Sequence, residues 1–271
     1  MNHEFLTVAI DERVAIVTLN RPDRYNALNE SLCREIIAVM RALDEHKEVR
    51  VVVITGAGGK AFSVGYDIKD ANEAMKDDIG EWAERLRFDL DFTGSLWSCS
   101  KPVIASIDGY CLAGGLELAQ MADIRYCSDR SKFGVVETRF SAGISTLAMP
   151  FLIGARCREL IYTGDIVDAP EALRLGLVSR VFSADTLHDE VLKIARRMSQ
   201  VAIACLQWNK RALNNAADCM GFRNALAYGV TACTIMDSIR TPEFMEFDRR
   251  RREDGLKAAL KWRDEQFARF E

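Results

Sequence analysis

Residues 51–55 read Val-Val-Val-Ile-Thr, five β-branched side chains in a row, and Gly56-Ala57-Gly58-Gly59 follow at once. A strand with one wet face alternates apolar and polar residues, so an unbroken run of this kind belongs to a strand covered on both faces. Such strands are built into parallel sheets with helical crossovers, which restricts the chain to the α/β class. The flanking sequence agrees. Leu6–Ile10 and Val14–Leu19 form a β-rich pair around the polar turn Asp11-Glu12-Arg13 and read as a hairpin. Asn29 then offers an N-cap to a helix that presents Leu32, Ile36, Val39, Met40 and Leu43 on one face. The unit is β-α-β. Val103–Ile107 reads as another buried strand and Ile124–Cys127 as a further one, with a helix expected over about 77–97. From Glu159 onward the pattern is mainly helical, with Leu177–Phe182 as the expected exception. No linker, low-complexity segment or internal repeat stands out. The reading is a core over residues 1–195 and a helical region over 196–271.

Composition narrows the function. Charged residues make up 28% and hydrophobic ones 49% of the 271 residues, which is the ordinary globular range. A net charge of −4 gives no reason to expect nucleic acid or an anionic membrane as partner. No apolar run reaches membrane-spanning length, and Met1–Arg13 does not read as a signal peptide, so the expected location is the cytoplasm. The eight cysteines are scattered without a CxxC pair, as expected of small core residues kept reduced. The three histidines are His3, His46 and His188, one terminal and two in charged helical stretches. Neither a metal site nor a histidine-based triad is expected, so the chemistry falls to carboxylates, amides or hydroxyls.

Two glycine-rich corners carry that chemistry. The first, Lys60-Ala61-Phe62-Ser63-Val64-Gly65-Tyr66-Asp67-Ile68-Lys69, is neither a dinucleotide fingerprint nor a P-loop. The second runs from Ile107 to Ala119: a strand ends, Gly109 turns the chain, and Gly114-Gly115 open a helix. Free amides at a helix start attract negative charge, and glycine lets a ligand atom come close. Close packing of helix on strand is the other use of such a pair, and the motif alone leaves both open. Glu117 follows Gly114 by three positions and so shares its helix face. It either complements the dipole or faces whatever the amides bind. Glu137, in Lys132-Phe133-Gly134-Val135-Val136-Glu137, would on its own read as a surface residue.

Taken together these pieces resemble the crotonase, or enoyl-CoA hydratase/isomerase, superfamily along nearly the whole chain. The match includes Arg21-Pro22, Asn26-Ala27-Leu28, the strand and loop at 51–56 and the segments Ala61–Asp67 and Gly109–Glu117. It continues through Asp123, Phe133-Gly134 with Glu137, and Gly176-Leu177-Val178. The resemblance implies a spiral of repeated β-β-α units whose helical C-terminal region builds a homotrimer, often paired into a hexamer. It implies an oxyanion hole from the amides of Tyr66 and Gly114, and catalytic roles for Glu117 and Glu137. It implies hydration of a 2-enoyl-CoA to a 3-hydroxyacyl-CoA, or the reverse. No further cofactor is expected, since coenzyme A enters as part of the acyl-CoA substrate. The segments holding Arg24, Tyr25, Lys60, Ala61, Asp67 and Ile68 would line the coenzyme path.

Two carboxylates suit hydration, because water must lose a proton while the α-carbon gains one. Relatives that only move a double bond manage with the second glutamate. Dienoyl isomerases add an acid eight positions later, where this chain has Ser145. Isomerisation, thioester hydrolysis and a non-catalytic acyl-CoA- or RNA-binding role are the alternatives. One segment departs from the family: a proline- and glycine-rich turn is usual after the second glutamate, and here the chain reads Ser141–Pro150 without it. An ungapped match puts Ser145 where that turn offers an amide, so the acyl pocket is expected to differ. The basic run Arg249–Arg252, with Asp248, Glu253 and Asp254 around it, reads as a solvated helix face.

Overall fold

In the computed structural model, which describes residues 3–68, 78–268 and 270, the first two apolar runs pair as the expected hairpin. Strands β1 (Leu6–Asp11) and β2 (Val14–Leu19) are antiparallel from Leu6↔Leu19 to Asp11↔Val14. Helix α1 (Glu30–Glu45) begins where Asn29 Oδ1 accepts the Leu32 amide at 3.0 Å, and it buries the apolar face read from its spacing. Strand β3 (Val51–Gly56) then lies parallel to β2 and completes the β-α-β unit.

From β3 onward the chain winds in turns. Each turn gives a longer strand to one sheet and a short one to a second. The turns are β3 with β4 (Ala61–Ser63), then, after α2 (Ile79–Ser98), β5 (Val103–Ile107) with β6 (Tyr110–Leu112). After α3 (Gly114–Gln120) come β7 (Ile124–Ser128) and β8 (Lys132–Gly134). Short helices α4 (Met149–Ile153) and α5 (Cys157–Thr163) lead to β9 (Ile166–Asp168), α6 (Ala169–Leu175), β10 (Arg180–Phe182) and α7 (Leu187–Ser199). The larger sheet runs β1-β2-β3-β5-β7-β10 and the smaller β4-β6-β8-β9. This is the repeat that the sequence hides. Its second strands are three residues long, too short for a period of two to show. Strand β9 escaped the mainly helical reading for the same reason.

The β-branched run behaves as its composition requires. Val52 and Ile54 pack into the main core with α1, while Val51 and Val53 face Leu187, Val191 and Ala195 of α7. The cysteines divide: Cys205 and Cys219 are exposed, against expectation, and the other six are buried.

Helices α8 (Ile203–Cys219), α9 (Phe222–Ser238), α10 (Pro242–Glu253) and α11 (Leu256–Ala268) form the C-terminal region. Helix α8 is fastened to the core by Lys210. Its ammonium, 5% exposed, donates to the carbonyls of Leu96 and Lys101 and to Asp123 Oδ2 at 2.8 Å. Asp123 Oδ2 also accepts the Val103 amide at 2.7 Å, so one carboxylate joins α8 to the head of β5. Helix α9 lies against α2, with Leu86, Val230 and Cys233 buried between them. The Arg249–Arg252 run is paired with Glu246, Asp248 and Glu253 of its own helix. Among the described residues no helix is long and apolar enough to cross a membrane.

Removing one member of a buried ion pair leaves the other without its partner. Lys210 is buried but Asp123 is 23% exposed, so water can answer part of its charge and Lys210→Met is expected to lower unfolding stability by about 1–3 kcal/mol. Urea denaturation checks this, and a loss below about 1 kcal/mol would show that α8 is held by its apolar contacts instead.

Candidate active site

The site begins with two pieces of backbone that touch. Gly65 has φ +94°, and a Cβ there would lie 2.6 Å from the Ala113 Cβ and 3.0 Å from the Gly114 nitrogen. Only glycine fits that corner. Gly115 is pressed equally hard against Ser63, where a Cβ would come within 2.5 Å of the carbonyl oxygen. The close-packing reading of the paired glycines therefore holds for Gly115. Ala113, at φ 51° without being glycine, sets the direction in which α3 starts; its amide donates to the Gly134 carbonyl at 3.0 Å.

Tyr66 sits on the same corner. The Leu28 amide donates to the Gly65 carbonyl at 2.9 Å, and the Asp67 amide donates to the Leu28 carbonyl at 3.0 Å. In such a pairing the intervening residue turns its own amide the other way, here away from Leu28. Among the described residues neither the Tyr66 nor the Gly114 amide meets an acceptor. The Tyr66 ring stands against Gly114, since a Cβ on Gly114 would lie 2.6 Å from Cε2. Asp67, 9% exposed, is tied to Arg21 at 2.9 Å.

Glu117, in the first turn of α3, is 3% exposed. Its Oε1 accepts the Ser145 amide at 3.0 Å and its Oε2 the Ser145 hydroxyl at 2.9 Å. Burial raises its pKa, and hydrogen bonds from Ser145 and Thr146 pull it back. Glu137 has only its own backbone amide to pull it down: Oε2 is buried without a partner, and burial, then the charge of Glu117, pushes its pKa well up. Both carboxyls line one cavity of about 510 Å³, together with Tyr66. A second, narrower cleft that the two glutamates share with Gln120, Thr146 and the apolar Leu116, Val135, Leu147, Met149 and Ile161 has about 10 Å³.

The model of the family described as enoyl-CoA hydratase/isomerase matches residues 9–232. The chain belongs to the enoyl-CoA hydratase/isomerase family. It is 36% identical over 235 residues to a probable enoyl-CoA hydratase from Mycobacterium bovis, covering 85% of this chain and 87% of that one. It is 34% identical to a crotonyl-CoA hydratase from Syntrophomonas wolfei, over 79% of this chain and 83% of that one. Among solved structures, an enoyl-CoA hydratase/isomerase from Xanthobacter autotrophicus Py2 superimposes with a TM-score of 0.95 at 36% identity, covering 98% of this chain and 99% of that one.

The other expected positions fall as follows in this family member. Arg24, Tyr25 and Lys60 are exposed, Ala61 is buried in β4 and Ile68 is half-buried. Asn26 holds their segments together, donating to the Ala57 carbonyl at 3.0 Å and to that of Ala61 at 2.8 Å. Lys69, the end of the first corner as read from sequence, and residue 77, the expected start of the helix, lie outside the described residues.

Three polar residues of the same cavity were not anticipated: Arg85 and Asp89 on α2, and Asp237 on α9. Asp89 carried a signal, since it occupies the helix face of the buried Leu86 and Phe92 and an acid there demands a reason. Asp237 accepts the Gly143 amide at 3.0 Å, and nothing in its local sequence marks it.

Burial raises the Asp89 carboxyl from 3.8 to about 7, against the lowering pull of Arg85. In the unfolded chain it ionises near pH 4, whereas the folded protein keeps the proton until about pH 7. Its contribution to stability is thus full below the unfolded value and lost as pH rises towards about 7. Asp89→Asn removes that titration, so the variant should gain stability relative to wild type between pH 4 and pH 7. Urea denaturation across this range tests it; a difference that does not change with pH would refute the assignment.

Proposed function

We propose that the protein adds water across the conjugated double bond of a 2-enoyl-CoA, giving a 3-hydroxyacyl-CoA, or runs the reverse dehydration. The observation that carries the proposal is the unequal support of two carboxyls in one cavity. Glu117 accepts two hydrogen bonds from Ser145 while Glu137 keeps a buried, unpartnered oxygen. Hydrogen bonds to a carboxylate favour its ionised form, and burial beside another negative charge favours the neutral form. Glu117 then serves as base and Glu137 as acid, a division set by environment alone.

In the forward direction the thioester oxygen lies against the Tyr66 and Gly114 amides. Water loses a proton to Glu117 as its oxygen bonds to the β-carbon. The π electrons move towards the thioester oxygen, where two amides stabilise the developing enolate; losing one such donor typically costs about 10²- to 10³-fold. The α-carbon takes its proton from Glu137. Coenzyme A supplies the thioester and needs no separate cofactor beside it. Arg24, Tyr25, Lys60, Ala61, Asp67 and Ile68 belong in this reading to the coenzyme path, Asp67 through its backbone because Arg21 holds its side chain.

Glu117→Gln and Glu137→Gln should each fold normally and lower hydration by about 10²-fold or more. Loss of the conjugated thioester absorbance with a panel of enoyl-CoAs, read beside product mass, is the assay. Near wild-type turnover in either variant would exclude the two-carboxyl mechanism, and an isomer as product would replace hydration by double-bond migration.

The assembly belongs to the same proposal: a homotrimer, alone or paired as a hexamer, made through the C-terminal helices. Trp208, Leu213, Met220 and Tyr228 of this region are each at least 66% exposed, a concentration of apolar surface that a second copy would cover. Light scattering at micromolar concentration should give three or six times 30.4 kDa; a fully active monomer would contradict it.

A further inference from the structure

The cavity that holds Glu117 and Glu137 has two very different ends. At one end the two glutamates share a narrow cleft with mainly apolar walls, whose 10 Å³ leaves room for about one water molecule. The remaining wall is polar. Asp89 is 3% exposed, and Arg85 Nε stands 3.1 Å from its Oδ1 and 3.3 Å from its Oδ2. Oδ1 is nevertheless buried without a hydrogen bond, and so is the Tyr66 hydroxyl. The Tyr66 ring lies between the Gly114 backbone and the Arg85 guanidinium, which is 5.7 Å from the ring centroid. The Tyr66 ring thus touches the backbone assigned to the thioester.

Native proteins rarely bury polar atoms without partners, and here two of them belong to residues that line one cavity. A saturated alkyl tail packed against that wall would leave both unpaired. An anionic substituent is disfavoured as well, since Asp89, Glu117, Glu137 and Asp237 all line the cavity against the single guanidinium of Arg85. A cationic one would meet the Arg85 guanidinium beside Asp89 and be repelled by it, whereas the charge of Asp89 is already balanced. The chemistry that fits is uncharged and able both to donate and to accept.

Resting on the hydratase reading above, we propose that the acyl group of the natural substrate is short and carries a hydroxyl, which accepts from the Tyr66 hydroxyl and donates to Asp89. Arg85 acts through Asp89, holding its carboxyl at the wall, and is a positioning residue.

The test compares hydration of 4-hydroxy-2-butenoyl-CoA and 5-hydroxy-2-pentenoyl-CoA with that of the unsubstituted C4 and C5 enoyl-CoAs. A site built for a hydroxyl rejects the analogue lacking it, so kcat/KM for one hydroxylated substrate should exceed its parent by at least about tenfold. That ratio should fall about tenfold in Tyr66→Phe and in Asp89→Ala, and be largely kept in Asp89→Asn, which still offers hydrogen-bonding atoms. A merely structural role would depress both substrates together and leave the ratio unchanged. A wild-type ratio at or below one, or a ratio unmoved in both Tyr66→Phe and Asp89→Ala, overturns the proposal. If no enoyl-CoA is hydrated, the hydratase reading fails by itself. Calorimetric binding of 4-hydroxybutyryl-CoA against butyryl-CoA then decides the hydroxyl preference: tighter binding of the former, lost in Tyr66→Phe, supports it, and equal binding refutes it.

Discussion

Two backbone corners from different turns of the chain approach until only hydrogen separates them, and the architecture of the site follows from that contact. Gly65 meets Ala113 and Gly114, and Gly115 meets Ser63. Each pair joins the end of β4 or the loop after it to the chain that leaves β6 and opens α3, and those strands are neighbours in the smaller sheet. The spiral supplies the approach: successive turns place equivalent corners side by side, roughly one strand spacing apart. Glycine keeps the approach from becoming a clash. Ala113 carries the residual strain, a left-handed residue with a side chain, at a cost of about 1–3 kcal/mol. A rigid β-layer beneath it makes that conformation tolerable.

The second layer of control is electrostatic. The cavity brings together more carboxyls than its charge can support, so burial drives their protons on rather than off. What distinguishes them is local hydrogen bonding. Ser145 gives Glu117 both an amide and a hydroxyl, Gly143 gives Asp237 an amide, Arg85 sits beside Asp89, and Glu137 keeps an oxygen that nothing answers. The segment after Glu137 that lacks the usual proline- and glycine-rich turn is therefore the one that sets the proton affinity of Glu117. Its serine contributes a side-chain donor where only an amide was expected.

The C-terminal helices do more than extend the molecule. Lys210 fixes α8 to the head of β5 through Asp123, and α9, next in the chain, brings Cys233 and Asp237 to the cavity wall. The Lys210–Asp123 ion pair thus helps couple the helical region to the core, beside the α2–α9 contact and the Gly143–Asp237 hydrogen bond.

Local sequence determined a good part of this. The β-branched run at 51–55 called for a sheet covered on both faces, Asn29 offered a helix start, and Gly114-Gly115 marked a close approach, of a ligand or of a strand, because each property depends on neighbours along the chain. The pairing of Glu117 with Glu137 was legible through family resemblance, since Glu137 on its own spacing looked like a surface residue. Tertiary structure decided the rest. The spiral repeat escaped because its second strands are three residues long, and Arg85 and Asp237 escaped because their meaning arises only where α2 and α9 cross the same cavity; Asp89 left only the trace of an acid on an apolar helix face. Proton affinity is of the same kind: it is set by burial and by partners distant in the chain, and Ser145, 28 positions from Glu117, can be seen to hold it only once the chain is folded.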